Sequence, residues 1–319
     1  MRISILATVF VCGIAGLAVP ALACINTFES EIRRYRAAND EAGVAAEIAK
    51  LESEYREAPT LEHTNDLGVG RLLTSRYPEA IKLFEEAERR FPGKAIVAAN
   101  LGTAYELSGN LPEAFRWISE GVKRDPKEHQ GSEWLHVKIL EAKIAVARDP
   151  EWLKRNTVLG VSFGDQDIPV MPTTLPADEA GRPRTPDEIY DAIYYQLYER
   201  TKFVGRPDAF VADLYAAQGD LSFAAGKLNN DDPLGYPPYQ YDEALSFEPA
   251  QRERVERRQQ KFNSLYDTKS WYQEVGAKPA VAPPVSTQRK RVDWPWIGLV
   301  PVLGLGAAWI LRRHRLTKP

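Results

Sequence analysis

The chain is poor in the residues that most often carry chemistry. Only two of its 319 residues are cysteine, Cys12 and Cys24, and both lie at the N-terminus. That leaves no internal disulfide framework and no thiolate set for a metal cluster. Histidine is nearly as scarce, with His63, His129, His136 and His314 making up all four. His129 and His136 are seven residues apart, but Gly131 interrupts the helix between them, so no metal site is expected. No glycine-rich loop is present to cradle a phosphate. A formal net charge of −3 supplies no basic field, and nucleic acid is not an expected partner. The oxygens of Asn229, Asn230, Asp231 and Asp232 lack the alternating spacing of a calcium loop. Gly160-Val161-Ser162-Phe163-Gly164 fits the spacing of a hydrolase nucleophile elbow. That motif needs a strand before it and a helix after it, and Asp165 to Pro169 cannot open a helix. No catalytic residue, metal or cofactor is therefore assigned.

What the chain has is a repeat. Leu67-Gly68 recurs as Leu101-Gly102, Pro78-Glu79-Ala80 as Pro112-Glu113-Ala114, and Pro92 as Pro126, each 34 residues on. A core leucine beside a glycine lets a partner helix approach. Ala80 and Ala114 are small residues where the second helix crosses the first. Phe84 and Ile118 fill the core, and Pro92 and Pro126 stop the second helix. Residues 61–94 and 95–128 thus each resemble a tetratricopeptide repeat (TPR), a helix–turn–helix unit of this period. Thr64 and Ala98 stand where an aromatic is usual, and Arg71 stands where the second copy has Tyr105. The resemblance implies a surface for holding another protein rather than an active site. A further run, GSEWLHVKILEAKI with VLGVSFG shortly after, resembles exported bacterial TPR proteins and implies no activity.

The two ends set an expected address. Residues 1–23 read as a secretory signal, with Arg2 at its start, an apolar run from Ile3 to Val19, and Ala21-Leu22-Ala23 as a cleavage site. Cys24 then has two readings. It is the acylated first residue of a lipoprotein, or an ordinary residue at or inside the signal boundary; Ala21 stands where the lipoprotein box has a larger aliphatic residue. Residues 294–311 form an uncharged apolar segment with Trp294, Trp296 and Trp309 at its ends and Arg312, Arg313 and Arg315 beyond. It reads as a transmembrane helix with the body outside the cytoplasm and residues 312–319 as a basic inner tail. A sorting tail is the variant reading, although Val292-Asp293-Trp294-Pro295 replaces the motif such tails carry.

Between the ends, residues 24–60 read as a helical hairpin cap, with a turn at Asn39–Gly43. Residues 129–156 read as degenerate repeat helices, with Leu135 in phase but His136 in the glycine position. Residues 157–186 are proline-rich and irregular, and are expected to pack on the solenoid or cover its inner side. Residues 187–275 read as helical, with a degenerate repeat whose turn falls near Gly219-Asp220. Residues 276–293 form a Pro/Ala-rich linker, whose semi-extended part spans about 40 Å at roughly 3.1 Å per residue.

The expected fold is all-α: a TPR-type helix–turn–helix solenoid with degenerate flanking repeats and a C-terminal membrane helix. In such an array the first helices line the inner face. Asn65, Val69 and Leu72 in one copy, and Asn100, Thr103 and Glu106 in the next, are the outward positions expected to meet a partner. Asn65 and Asn100 are singled out because amides can hold a peptide backbone. The expected partners are a protein or peptide and, through the anchor, a membrane. The expected role is that of a scaffold or assembly factor in the bacterial envelope. An enzyme with a site at 157–186, and a surface lipoprotein or sorted structural protein, are the competing readings.

Overall fold

The computed structural model describes residues 25–201, 204–226 and 237–265. The signal-like segment 1–23, Cys24, the oxygen-rich run Asn229–Asp232, the linker 276–293, the apolar segment 294–311 and the basic tail 312–319 all lie outside the described residues. Among the described residues no helix is long and apolar enough to cross a membrane.

The regular structure of the described residues is helical, and the only extended pairing among them is an isolated bridge between Ala177 and Pro183. In chain order the helices are α1 (Ile32–Ala37), α2 (Glu41–Glu57), α3 (Leu61–Leu73), α4 (Tyr77–Arg90), α5 (Ala95–Leu107) and α6 (Leu111–Arg124). There follow the single turn α7 (Glu128–Gly131), then α8 (Glu133–Arg148), α9 (Pro186–Arg200), α10 (Ala209–Ala224), α11 (Pro237–Ser246) and α12 (Arg252–Leu265). A 3₁₀ turn at Trp152–Lys154 lies between α8 and α9.

Local chemistry sets the helix starts. The side chains of Asp40, Thr60, Asn110 and Asp208 accept backbone N–H groups in the first turns of α2, α3, α6 and α10. Each such cap is worth about 1 kcal/mol. Thr185 and Glu188 close a reciprocal capping box on α9. Pro78 and Pro112 occupy first-turn positions of α4 and α6, where the missing N–H costs nothing.

Packing follows the repeat. The pairs α3/α4 and α5/α6 each join through a glycine contact. A Cβ on Gly68 would lie 2.6 Å from the Phe84 ring, and one on Gly102 would lie 2.9 Å from the Ile118 backbone nitrogen. Each second helix then packs on the next first helix, α4 on α5 and α6 on α8. The α1/α2 hairpin continues this order backwards, with α2 on α3.

Beyond α8 the order persists although the sequence pattern fades. The second helix that pairs with α8 is α9, reached only after the irregular segment. Gln196, late in α9, donates to Ser132 at the start of α8, so the two run antiparallel. Helix α9 packs on α10, and α10 pairs with α11. Gly219 is not in a turn, as its spacing had suggested, but inside α10. A Cβ there would lie 2.8 Å from the Tyr241 ring of α11. The glycine–large residue contact of the first two repeats thus returns in the last pair. Helix α12 covers α11 and ends the described body.

Part of the irregular segment lies against this second half. Val158, Leu159 and Phe163 are buried in one apolar cluster with α8, α9, α10 and α12. The buried Asp213 carboxylate accepts the Val158 N–H at 2.7 Å, and burial pushes its pKa up to about 6. Arg258 of α12 donates to the carbonyls of Phe163, Gly164 and Gln166, and also pairs with the buried Asp220.

The turn between paired helices shows a local cost. Gly109 sits at φ +85°, and its repeat equivalent Ser75 sits at φ +62°. Left-handed backbone disfavours a residue with Cβ, and among the described residues the Ser75 hydroxyl makes no hydrogen bond that would compensate. Ser75→Gly should therefore raise stability by about 0.5–1 kcal/mol after the entropy glycine adds to the unfolded chain. Gly109→Ser should lower it by a similar amount. Chemical denaturation of the two variants measures both signs.

Candidate interaction groove

Three neighbouring polar residues on the first helices of successive repeats hold one piece of backbone. Asn65 and Asp66 lie on α3 and Asn100 lies on α5; all three are at most 3% exposed. Asn100 Oδ1 accepts the Asn26 N–H at 3.0 Å, and Asn100 Nδ2 donates to the Asn26 carbonyl at 2.8 Å. Asn65 Nδ2 donates to the same carbonyl at 3.0 Å. The two amides also bond each other, Asn100 Nδ2 to Asn65 Oδ1, at 2.8 Å. This pattern fixes which end of each amide is oxygen. Asp66 accepts three successive backbone N–H groups, from Phe28, Glu29 and Ser30, at 2.8–2.9 Å.

The occupant is the non-helical segment that precedes α1, residues 25–31. Ile25 is 2% exposed and packs in one cluster with Ile32, Val44, Val69 and Leu72. Arg33 donates to the Ile25 carbonyl at 2.7 Å and pairs with Glu199 of α9 at 2.9 Å. Asn26 Nδ2 reaches Glu128 at 3.1 Å. Glu47 of α2 accepts the Ser30 hydroxyl and the Glu31 N–H, both at 3.2 Å. Phe28, by contrast, points out at 40% exposure.

The six residues expected to face a partner are thus not outward. Asn65 and Asn100 converge on Asn26, and Val69 and Leu72 lie in the same apolar cluster as Ile25. Thr103 is fully buried. Glu106 belongs to a different cluster farther along the array. The periodicity of a single helix assigns these positions to the inner face. It does not register that a segment from before the repeats covers that face. Asp66, Glu47 and Glu128 are not among the expected residues, although Asp66 is the repeat equivalent of Asn100, 34 residues earlier. That offset was the signal available for finding it.

Glu106 sits where α5, α8 and α9 meet. It accepts Lys143 Nζ and His136 Nε2, each at 2.6 Å, and lies 3.4 Å from Arg200 Nη1. His136 Nδ1 lies 3.3 Å from Glu133, whose other oxygen meets His129 Nδ1 at 2.7 Å. His136 occupies the position held by Gly68 and Gly102 in the earlier repeats. An ionic cluster fills this third interface where the others have close helix contact. Burial alone would raise both carboxyls. The cations beside Glu106, and the two histidines beside Glu133, outweigh it and hold both well below the usual carboxylate range. Burial would likewise lower His129, but the pull of Glu133 outweighs it and raises its pKa. His129 and His136 both bond carboxylates here, and among the described residues no group of three or more His, Cys, Asp and Glu is placed to hold a metal ion.

Ser162 of the G-x-S-x-G run is exposed, and its hydroxyl accepts the Gly164 N–H at 3.1 Å. No histidine bonds it among the described residues. Arg258 holds the next two carbonyls, those of Phe163 and Gly164.

Comparison with known proteins is consistent with these helix pairs. No family model matches the chain. A stretch of 113 residues, 34% of the chain, is 27% identical to Hsp70-Hsp90 organizing protein 3 of Arabidopsis thaliana. The chain spans 20% of the length of that curated relative. The likeness and the helical order together make the repeats TPR-like and point to a role in protein–protein interaction.

The ionic cluster predicts a pH dependence. The depressed carboxyls contribute stability that is present above their unfolded value of 4.5 and lost as pH falls towards their folded values. His129 contributes stability that is complete below 6.5 and lost as pH rises through its raised folded pKa. The melting temperature should therefore be highest between about pH 4.5 and 6.5 as far as this cluster governs it. His129→Gln should flatten the decline on the alkaline side, as read by thermal denaturation between pH 6 and 9. An unchanged alkaline slope would remove His129 from that role.

Proposed function

We propose that the chain is an exported scaffold or assembly factor of the bacterial envelope, anchored by residues 294–311, which holds a protein partner in its TPR-like repeats. The observation that carries this reading is the backbone clamp. Asn65, Asp66 and Asn100 bind main-chain N–H and C=O groups of a non-helical segment, which is the chemistry needed to hold a peptide. The likeness to a protein named for organising Hsp70 and Hsp90 supports an interaction role. At 27% identity over 113 residues it does not carry those chaperones over as partners.

The address rests on the two ends of the sequence. A signal-like N-terminus and an apolar, arginine-flanked segment at 294–311 support export followed by anchoring. Cys24 stays a candidate for lipidation under the same reading. Neither a cofactor nor nucleic acid enters it. The enzyme reading at 157–186 is less well supported. That segment contributes Val158, Leu159 and Phe163 to the apolar core, and Arg258 occupies the carbonyls of its glycine-serine turn.

Two measurements test the proposal. The full chain should fractionate with membranes, and a chain ending at residue 293 should not. Crosslinking pull-down from those membranes should recover a protein partner in amounts that fall with Asn65→Ala/Asn100→Ala. Recovery of nothing above a tail-only control sinks the scaffold role. Recovery that ignores the double substitution moves the binding surface away from the groove.

A further inference from the structure

The groove that would hold a partner is already filled by the chain's own residues 25–31. We infer that this segment is a displaceable internal occupant. The external ligand of the groove is then a non-helical peptide of the same chemistry: a buried aliphatic residue, an asparagine directly after it, and a hydroxyl residue four positions beyond the asparagine. The inference rests on the protein-binding role proposed above and says what kind of segment is bound and what competes with it.

The contacts define that chemistry. Ile25 is the one strap side chain buried in the apolar cluster, so the first requirement is an aliphatic anchor. Asn26 follows, with its N–H and C=O engaged by Asn100 and its side chain donating to Glu128. The next backbone turns so that the N–H groups of Phe28, Glu29 and Ser30 converge on Asp66. The hydroxyl of Ser30 then reaches Glu47. Phe28 and Glu29 face solvent, so those two positions are read through backbone alone. Most recognition is thus main-chain recognition, which any chain able to take this path satisfies.

The groove also demands an occupant. Asn100 Oδ1 and both Asp66 oxygens take N–H donors from the strap, and a buried acceptor stripped of its donor is costly. Removal of residues 25–31 exposes a ready-made set of acceptors and donors at one repeat spacing, Asp66 to Asn100. Either water or a second peptide must then meet them. A second peptide with an aliphatic anchor also refills the site of Ile25, which water does not.

Asn26→Pro tests this without altering the groove lining, because it deletes the N–H donated to Asn100. The full chain, solubilised in detergent, is titrated into a fluorescein-labelled heptapeptide with the sequence of residues 25–31, and anisotropy is read. The variant should bind at least about tenfold more tightly than the wild type, whose own strap competes. Binding should be lost when Asn100→Ala is added to the variant. It should also be lost when the peptide carries aspartate in place of the residue matching Ile25, and should survive alanine at the residue matching Phe28.

Equal affinity of wild type and Asn26→Pro, with the variant melting cooperatively, overturns the inference. Hydrogen exchange of the wild type supplies an arm that does not depend on the variant folding. The amides of Asn26, Phe28, Glu29 and Ser30 should exchange through an opening that leaves α3 and α5 protected. Exchange only together with those helices would make the segment a fixed part of the core, and overturns the inference equally. A groove that binds the peptide while no partner is captured from membranes leaves this site standing and removes the scaffold role. Capture that ignores Asn65→Ala/Asn100→Ala does the reverse.

Discussion

A buried polar group must find a partner, and around that requirement the first half of this molecule is arranged. Asn65, Asp66 and Asn100 stand on helices whose other faces pack against apolar neighbours. Their amide and carboxylate atoms are out of reach of bulk water, so something must bring N–H and C=O groups to them. Residues 25–31 do so. In turn, the path of that segment leads into α1 and places Ile25 in one apolar cluster with Val69 and Leu72. Through Arg33 it also ties the N-terminal end to Glu199 on α9, on the far half of the chain.

The same requirement shapes the junction between the clear repeats and the degenerate ones. At Gly68, Gly102 and Gly219 the absence of a Cβ lets a large residue of the partner helix sit against the backbone. At the equivalent position of the third repeat stands His136, which no neighbouring helix can approach so closely. Glu106, Glu133, Lys143 and Arg200 occupy that space instead. A cluster of charges held out of water stabilises only when its members are matched, so this interface is more sensitive to conditions than the apolar ones on either side. Arg71 makes a smaller version of the same exchange. It stands at the position of Tyr105, and where that tyrosine bonds Glu85 at 2.8 Å, Arg71 links Glu52 of α2 and Glu79 of α4.

Helix pairing continues through stretches where the repeat cannot be read. The third pair is split by residues 149–185, yet α9 returns to α8. That long segment is held by its own burial: Asp213 takes one end, Arg258 takes the middle, and the aliphatic residues between join the core. A solenoid tolerates such an insertion because each unit needs only its neighbours. The glycine contact in α10/α11 shows the spacing rule surviving at the level of space after it has faded in sequence.

The sequence by itself determined the helical class, the 34-residue period and the residues at the tightest crossings, because these follow from local spacing and side-chain size. It also marked Asn65 and Asn100 as the polar residues of the inner face. Only the tertiary structure decided that this face is covered, that Asp66 shares the clamp, and that α9 completes the pair opened by α8. The physical reason is separation along the chain. The bonds from Asn26 to Asn100 and from Asn26 to Glu128 span 74 and 102 residues, and that from Arg33 to Glu199 spans 166. No periodicity encodes such contacts. They exist because folding brings a short non-helical segment to the polar atoms that the repeats would otherwise bury unpaired.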